Sequence, residues 1–201
     1  MTLPSPLSGL VLSGGYSRRM QADKAGLLVH GETQLGRVVR LLREVCGNTF
    51  VSVRADQRDD PLRRQYPQIV DTLENAGPAA GILAALTRHP DHAWLVVAVD
   101  LPRMTADTLR HLVRSRDPAA MATAYRSSSD GLPEPLCAIW EPSSLAPLSA
   151  FIATGRQCPR KFLLNHPARI IDLEQSDALT NMNTPEDYAA TNLSVASGVP
   201  A

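Results

Sequence analysis

Residues 10–24 read LVLSGGYSRRMQADK, a short apolar run that passes directly into two glycines and then into a segment rich in positive charge. The apolar run is typical of a buried β-strand. The glycines allow backbone N–H groups to approach anionic oxygens, and a nest of such groups binds phosphate. Arg18, Arg19 and Lys24 supply charge that would neutralise a triphosphate. The segment therefore predicts a phosphate-binding loop, here called the glycine loop (residues 14–24), after a buried strand.

The spacing of the glycine loop differs from that of two common nucleotide-binding motifs. It matches neither the P-loop, GxxxxGK[ST], nor the dinucleotide motif, GxGxxG. A Walker-type ATPase and a Rossmann dehydrogenase are therefore not indicated. A plain Gly14-Gly15 turn followed by a solvated basic loop remains the alternative at this point.

Apolar strands and amphipathic helices alternate along the first 115 residues. The predicted strands are residues 9–13, 49–54, 68–71 and 94–100. The predicted helices, with apolar side chains at helical spacing, are residues 33–46, 78–88 and 105–114. On the first helix we expect a solvent-facing side made of Arg37, Arg40, Arg43 and Glu44. Since continuous apolar strands suit a parallel sheet covered on both faces, the pattern predicts an α/β three-layer sandwich of Rossmann-like type.

The pattern changes in the second half of the chain. Residues 120–125 and 135–140 are strand-like and flank a polar loop, which predicts an antiparallel excursion and hence a mixed, mostly parallel sheet. Residues 168–173 predict a late strand. Residues 185–193 predict a terminal helix with Thr184 as its N-cap.

Length and composition favour one globular domain that binds neither nucleic acid nor a membrane surface. The 201 residues suit a single domain, which we place at residues 1–194, with a flexible tail over residues 195–201. The 20 basic and 20 acidic residues balance to a net charge of zero. A nucleic-acid or membrane-surface binder would normally show a basic surplus. We therefore expect neither nucleic acid nor membrane as a partner.

The cysteines and the N-terminus indicate a cytoplasmic protein. Cys46, Cys137 and Cys158 are odd in number and lack metal-site or redox-motif spacing, which predicts free thiols in a reducing compartment. Residues 1–15 have no basic n-region, so they do not form a signal peptide. No stretch approaches the ~20 apolar residues that span a bilayer.

Three further stretches carry motifs, in a fixed order after the glycine loop. They are DTLENAGPAAGILAAL (71–86), VVAVDLPRM (96–104) and TNMNTPEDY (180–188). With LSGGYSRRMQADKA, which is similar to the family loop LAGGxSxRMGxDKA, they resemble the signature of the molybdenum cofactor guanylyltransferases. These enzymes belong to the nucleotidyltransferases of the GT-A-like type. The resemblance covers nearly the whole chain.

The resemblance implies an activity and a set of partners. The expected reaction is the Mg²⁺-dependent transfer of GMP from GTP onto the terminal phosphate of molybdopterin, with release of pyrophosphate. The small-molecule partners would be GTP and molybdopterin. A molybdoenzyme or a molybdenum-cofactor insertion protein is the kind of protein partner that it implies.

The resemblance also implies roles for individual residues. The guanine and ribose side of the pocket would be formed by Leu12, Ser13, Gly14 and Gly15, with Asp71 helping to recognise the guanine. Lys24 would contact the phosphates and Asp100 would hold Mg²⁺. With Arg19 as a further cation that neutralises charge, the catalytic set would be Arg19, Lys24 and Asp100. The acceptor would dock at Asn181 and Asn183, and Glu134 in the loop before the 135–140 strand is a further candidate for contact with it.

Physical arguments support several of these roles and leave alternatives for others. Asp100 ends a buried strand, where open α/β sheets bind ligands, and a single carboxylate suits Mg²⁺. The alternative for Asp100 is an N-cap of the helix near Thr105. Asp71 could be an ordinary turn residue, and Asn183 could be a plain helix cap.

Other candidate residues are weaker. Arg160 and Lys161 would add charge near an acceptor phosphate, although solvated surface charge is the simpler interpretation. Trp94 and Trp140 are expected to pack in the core. The five histidines are scattered and none falls in a motif. A phosphate monoester is already ionised near neutral pH, so the expected transfer needs positioning and charge neutralisation and no general base.

Departures from the family pattern keep two other functions open. Gln21 stands where the family loop has glycine. One alternative is a cytidylyltransferase or another NTP transferase that acts on a related phosphorylated acceptor. The other is a catalytically silent nucleotide-binding adaptor, against which the retention of Lys24 and Asp100 argues.

Overall fold

A seven-stranded sheet forms the centre of the fold in the computed structural model, which describes residues 4–15, 23–29, 31–73, 76–173, 177–184 and 186–189. The strands of this sheet are β1 (Leu7–Leu12), β4 (Asn48–Val53), β5 (Gln68–Val70), β6 (Ala93–Ala98), β7 (Ala122–Arg126), β8 (Pro133–Trp140) and β9 (Ala168–Ile171). Their order is β5-β4-β1-β6-β8-β7-β9. Two short strands, β2 (Leu28–Val29) and β3 (Glu32–Thr33), form a separate antiparallel pair.

The strand directions confirm a mostly parallel, mixed sheet. β1 pairs in parallel with both β4 and β6, and β4 pairs in parallel with β5. β8 runs antiparallel to both of its neighbours, β6 and β7, whereas β7 and β9 are parallel. Among these seven strands only β8 is therefore reversed, which is the antiparallel excursion expected from the sequence.

Helices cover both faces of the sheet because the central strands are apolar on both sides. Successive residues of a strand point to opposite faces. Leu10 and Trp94 lie in one buried cluster, and their chain neighbours Val11 and Leu95 lie in the other. The helices that pack on the sheet are α1 (Gln34–Arg43), α2 (Pro78–Arg88), α3 (Ala106–Arg114), α4 (Leu145–Ala153) and α5 (Pro159–Asn165). Helices α1 and α3 pack on the face of the sheet that carries Val11, and helices α2, α4 and α5 pack on the face that carries Leu10.

The predicted helices α1, α2 and α3 are present, and their ends follow local chemistry. Thr33 caps α1 by accepting a hydrogen bond from the Gly36 N–H at 3.2 Å. The helix ends at Arg43, short of the predicted Cys46. Thr105 caps α3 through the Thr108 N–H, also at 3.2 Å.

Three features of the fold were not predicted. Helix α4 was missed because it is apolar on all sides and lacks the one-sided pattern of α1, and helix α5 was missed because it has only seven residues. The small β2–β3 pair was also missed. Arg37, expected to face solvent, is buried and its guanidinium donates a hydrogen bond to the Met104 carbonyl oxygen. A long side chain can bury its stem and still pair its head group with a backbone oxygen, which periodicity does not reveal.

The predictions for the tryptophans and the cysteines are confirmed. Trp94 and Trp140 are fully buried in the core, as expected. Cys46, Cys137 and Cys158 are free thiols. In the parts of the chain that the structure describes, no helix has both the length and the apolar character to cross a bilayer.

Some sequence predictions fall outside the described residues. These are the ones for Arg18, Arg19 and Gln21, and the tail over residues 195–201. Of the predicted terminal helix, residues 186–189 are described and are helical. The Thr184 hydroxyl accepts a hydrogen bond from the Asp187 N–H at 3.2 Å, which makes Thr184 the cap that the sequence predicts.

Candidate functional site

A cavity of about 900 Å³, here called the main cavity, opens at the carboxyl ends of β1, β4 and β6. Ligands bind at this edge in open α/β sheets, and the volume is that of a small-molecule site. Seven of the predicted site residues line it, namely Leu12, Ser13, Gly14, Gly15, Lys24, Asp71 and Asp100. The sequence motifs therefore converge on one cavity.

Three polar side chains meet on one side of the main cavity. The Lys24 ammonium donates hydrogen bonds to Asn183 Oδ1 at 2.8 Å and to Asp100 Oδ2 at 3.2 Å. The C-terminal motif reaches this point because the Met182 N–H donates to the Asp100 carbonyl oxygen at 2.8 Å. The side chains of Lys24 and Asp100 are only 13% and 22% exposed, so their charges are partly shielded from water. The result is a cation and a carboxylate held together where a polyphosphate would enter.

The local structure decides between the roles left open for Asp100 and Asn183. Asp100 does not cap α3, since Thr105 does so. The Asn183 side chain accepts a hydrogen bond from Lys24 and does not cap the following helix. That turn is capped by the Thr184 hydroxyl and by the Asp187 carboxylate, which accepts hydrogen bonds from the backbone N–H groups of residues 183 and 184 at 2.8 and 2.9 Å. Asp100 therefore remains available to the main cavity, whereas Asn183 lines neither cavity and is joined to it only through Lys24.

Asp71 lies at the carboxyl end of β5, and its carboxylate faces the main cavity. The Ser52 hydroxyl donates to Asp71 Oδ1 at 2.7 Å. Burial raises the pKa of the Asp71 carboxyl to about 6, although the Ser52 hydroxyl and the charge of Arg54 act to lower it. A half-buried carboxylate with an oxygen left for a ligand is suited to accept hydrogen bonds from the N–H groups of a base.

Gly14 lies within ordinary contact distance of Asp71 and Arg54. A Cβ atom at Gly14 would lie 3.4 Å from Arg54 Cγ and 3.6 Å from Asp71 Oδ2. The Arg54 guanidinium also donates to the Gly14 carbonyl oxygen and pairs with Asp56 at 2.9 Å. Arg54 was not predicted, because it follows β4 in a stretch without a motif.

A second cavity of about 380 Å³, here called the side cavity, adjoins the first. Pro78 and Leu136 line both cavities. Two predicted acceptor residues, Glu134 and Asn181, line the side cavity. The predicted site residues thus lie in two groups, one along the main cavity and the other, Glu134 and Asn181, along the side cavity.

Arg160 also lines the side cavity, and it is not the solvated surface charge that the simpler interpretation expected. Its guanidinium donates to Glu134 Oε1 at 3.0 Å and to Asp130 Oδ2 at 2.8 Å. Lys161, the next residue, is exposed. The two carboxylates hold the Arg160 guanidinium in place beside the side cavity.

Helix α2 packs against the floor of the main cavity at Gly81. A Cβ atom there would come within 2.8 Å of Leu12 Cδ2 and closer still to Ser52 Oγ. We expect Gly81→Ala to lower the free energy of unfolding by about 1–3 kcal/mol, the usual cost of overpacking. It should also weaken ligand binding, because Ser52 holds Asp71.

Chemical denaturation of Gly81→Ala and of a control, Gly47→Ala, measures this effect. A Cβ atom added at Gly47 would meet no heavy atom within 4 Å. The free energy of unfolding of Gly47→Ala should therefore stay within about 0.5 kcal/mol of the wild-type value. Equal stability of the two variants would show that α2 can shift freely away from the strands.

Comparison with known proteins identifies relatives along most of the chain. Residues 9–170 match the family model of the MobA-like NTP transferase domain. A probable molybdenum cofactor guanylyltransferase of Opitutus terrae is 36% identical over 193 residues, covering 91% of this chain and 93% of that protein. A molybdenum cofactor biosynthesis bifunctional protein of Synechocystis sp. is 34% identical over 94% of this chain, which spans only 54% of that longer protein.

A solved structure supports the same fold. The molybdopterin-guanine dinucleotide biosynthesis protein A of Archaeoglobus fulgidus superposes with a TM-score of 0.79 at 23% identity, covering 94% of this chain and 98% of that one. At this identity the likeness concerns the fold alone. The family model and the Opitutus relative together show that the chain belongs to the MobA-like NTP transferase family.

Proposed function

We propose that the chain transfers GMP from GTP onto the terminal phosphate of molybdopterin, with release of pyrophosphate, as a Mg²⁺-dependent enzyme of the cytoplasm. The relatives named as molybdenum cofactor guanylyltransferases motivate the choice of substrates. The observation that carries the proposal is the contact of Lys24 with both Asp100 and Asn183, beside the junction of the two cavities. This contact supports the proposal because a cation that can neutralise phosphate and a carboxylate that can bind a metal lie side by side.

A magnesium ion fits the residues at this place. Mg²⁺ commonly takes one or two protein carboxylates and completes its shell with phosphate oxygens and water. Among the described residues, no group of three or more histidine, cysteine or acidic side chains could enclose a metal by itself. A site in which Asp100 is the protein ligand and GTP supplies the other oxygens suits this arrangement. When bound, the ion would neutralise charge on the transferring phosphate.

Asp23 is a poorer candidate for the metal ligand. Both of its carboxylate oxygens accept hydrogen bonds from Arg63, at 2.6 and 2.9 Å. Asp100 lines the main cavity as Asp23 does, but only one of its carboxylate oxygens accepts a hydrogen bond from the described residues, that of Lys24.

The chemistry that we propose needs no histidine. An oxygen of the acceptor phosphate attacks the α-phosphorus, the bond from that phosphorus to the bridging oxygen breaks, and pyrophosphate leaves with the negative charge. No histidine in the described part of the chain lines either cavity. The residues instead align the two phosphates and offset their charge, with Lys24 next to the entering triphosphate and Arg160 at the side cavity.

The preference for guanine would come from Asp71. Guanine presents adjacent N1–H and N2–H donors, and the two oxygens of a carboxylate can accept a hydrogen bond from each. Protonation of the carboxylate would turn one of these acceptors into a donor. GTP binding should therefore weaken as the pH falls below about 6, because protonation of Asp71 competes with guanine. We expect Asp71→Asn to bind GTP more weakly at pH 7.5 and to lose this part of the pH dependence.

Titration calorimetry between pH 5 and 7.5 tests the role of Asp71. The phosphates of GTP also titrate near pH 6, but they do so equally with both proteins. The difference between the two profiles therefore isolates Asp71. Parallel profiles would remove Asp71 from base recognition.

A direct assay tests the proposed function against its two alternatives. Protein, Mg²⁺, labelled GTP and molybdopterin should yield labelled dinucleotide and pyrophosphate. Product from CTP in place of GTP would identify a cytidylyltransferase. Nucleotide binding without product from any NTP would instead indicate an adaptor, and a thermal-shift panel of GTP, CTP, ATP and UTP supplies that binding measurement.

A further inference from the structure

Arg63 is a charged residue outside all of the sequence motifs, yet its side chain is only 1% exposed. It begins a short 3-10 helix, Arg63–Gln65, in the connection between β4 and β5. Burial alone would lower the pKa of Arg63, but the hydrogen bonds and charges of Asp23 and Asp60 raise it. The guanidinium is therefore a buried cation that is fully compensated by its neighbours.

The hydrogen bonds of Arg63 connect the residue just before the glycine loop, Ser13, with Asp23 near its C-terminal end. On one side, Nη2 donates to the Ser13 carbonyl oxygen at 3.0 Å and Nε donates to Ser13 Oγ at 3.2 Å. On the other side, Nη1 and Nη2 donate to the two carboxylate oxygens of Asp23 at 2.6 and 2.9 Å. Ser13 is followed directly by Gly14 and Asp23 directly by Lys24. Arg63 thus sets the distance between the glycines and the phosphate-binding lysine.

The geometry requires arginine. The planar guanidinium offers donors along two edges at once, one edge for a carboxylate and one for a backbone carbonyl. Asp60 completes the shell by accepting from Nη1 at 3.2 Å and from the Arg63 backbone N–H at 2.9 Å. A lysine would keep the charge but would reach only one side of the loop.

We propose that Arg63 is a positioning residue for nucleotidyl transfer, which holds Lys24 at a fixed place relative to Gly14 and Gly15. The proposal rests on the proposed function, since it assigns Lys24 to the phosphates of GTP. Arg63 itself does not line the main cavity and acts through Ser13 and Asp23.

The test compares Arg63→Lys with a matched variant at the other end of β1. Arg116 is an arginine with an 11% exposed side chain that donates to both oxygens of Glu141, at 2.6 and 2.8 Å, and to the Ser5 carbonyl oxygen at 2.9 Å. Arg116→Lys therefore removes the same kind of fork far from the glycine loop. Melting temperature, the Kd for GTP, and kcat and KM are measured for both variants.

We expect Arg63→Lys to raise the Kd for GTP and to lower kcat/KM by about tenfold or more, as small displacements of positioning groups do. Arg116→Lys should lower the melting temperature with little change in either constant. Asp23→Asn keeps an oxygen for the Ala25 N–H, which now donates to Asp23 Oδ1 at 3.1 Å, but it weakens the pair with Arg63. It should therefore show the same pattern as Arg63→Lys, even if Arg63→Lys folds poorly.

A double-mutant cycle separates positioning from simple stabilisation. In the Lys24→Ala background the Arg63→Lys change should cost little further GTP affinity, because the group it positions is gone. Additive losses would overturn the proposal, and so would wild-type affinity in a folded Arg63→Lys. If the wild type binds GTP but forms no product, the transferase function fails, and the Kd cycle still decides the role of Arg63.

Discussion

Asp100→Asn is expected to reduce turnover by about a hundredfold or more, because a bound metal ion contributes several kcal/mol of charge stabilisation during transfer. The asparagine keeps the shape of the side chain and an oxygen that can still accept from Lys24. It removes one negative charge from the proposed magnesium shell, so the concentration of Mg²⁺ needed for half-maximal activity should rise. Metal-free GTP binding should change little or tighten, since a carboxylate beside phosphates repels them.

Initial rates over a Mg²⁺ series, together with GTP binding in the presence of a chelator, measure these effects. Asp107→Asn is the matched control, because Asp107 lies on α3 with an 88% exposed side chain and pairs only at the surface with Arg110. The opposite pattern, with metal-free GTP binding lost and the Mg²⁺ dependence intact, would show that Asp100 has a structural role. The metal would then have to be assigned to another carboxylate.

The central sheet could be predicted because its strands are strongly marked in the sequence. The run over residues 94–100 is apolar without alternation, which indicates burial on both faces, and β6 indeed lies in the middle of the sheet. The order of the strands is not encoded in any local pattern, since it depends on which strands pair over long distances. Helix α4 lacks a one-sided pattern and helix α5 has only seven residues, so the sequence gives no clear local signal for them.

The candidate site could be predicted where its residues belong to strand ends. Gly14, Asp71 and Asp100 each follow a marked strand, and the carboxyl ends of parallel strands lie at one edge of the sheet. Ser52 and Arg63 could not be found in this way. Ser52 lies inside β4 between two valines and belongs to no motif. Arg63 looks like an ordinary surface arginine until the fold brings it to Ser13 and Asp23. Their roles depend on contacts between distant parts of the chain.

Lys24→Ala is expected to raise the Kd for GTP by about tenfold or more, which corresponds to about 1.4 kcal/mol or greater. The Lys24 ammonium reaches Asp100 and Asn183 from the 3-10 helix that starts at Lys24 itself, whose N-cap is Asp23. An entering triphosphate offers more negative charge than the single carboxylate, so the ammonium can exchange one anionic partner for a stronger one. Alanine removes this cation but leaves the Asp23 cap in place, and we therefore expect a folded protein with a weakened nucleotide site.

Calorimetric titration with GTP and a thermal melt measure the two parts of this prediction. Lys161→Ala provides the control, because Lys161 is an exposed lysine on α5 that lines neither cavity, and it should leave both values unchanged. Normal GTP affinity in Lys24→Ala would remove Lys24 from the nucleotide site. Its contacts with Asp100 and Asn183 would then serve only to dock the C-terminal motif on the sheet. The double variant Lys24→Ala/Asp100→Asn distinguishes these cases further. If Lys24 acts on phosphate, its metal-free affinity for GTP should equal or slightly exceed that of Lys24→Ala, because Asp100→Asn then removes only the repulsion between carboxylate and phosphates.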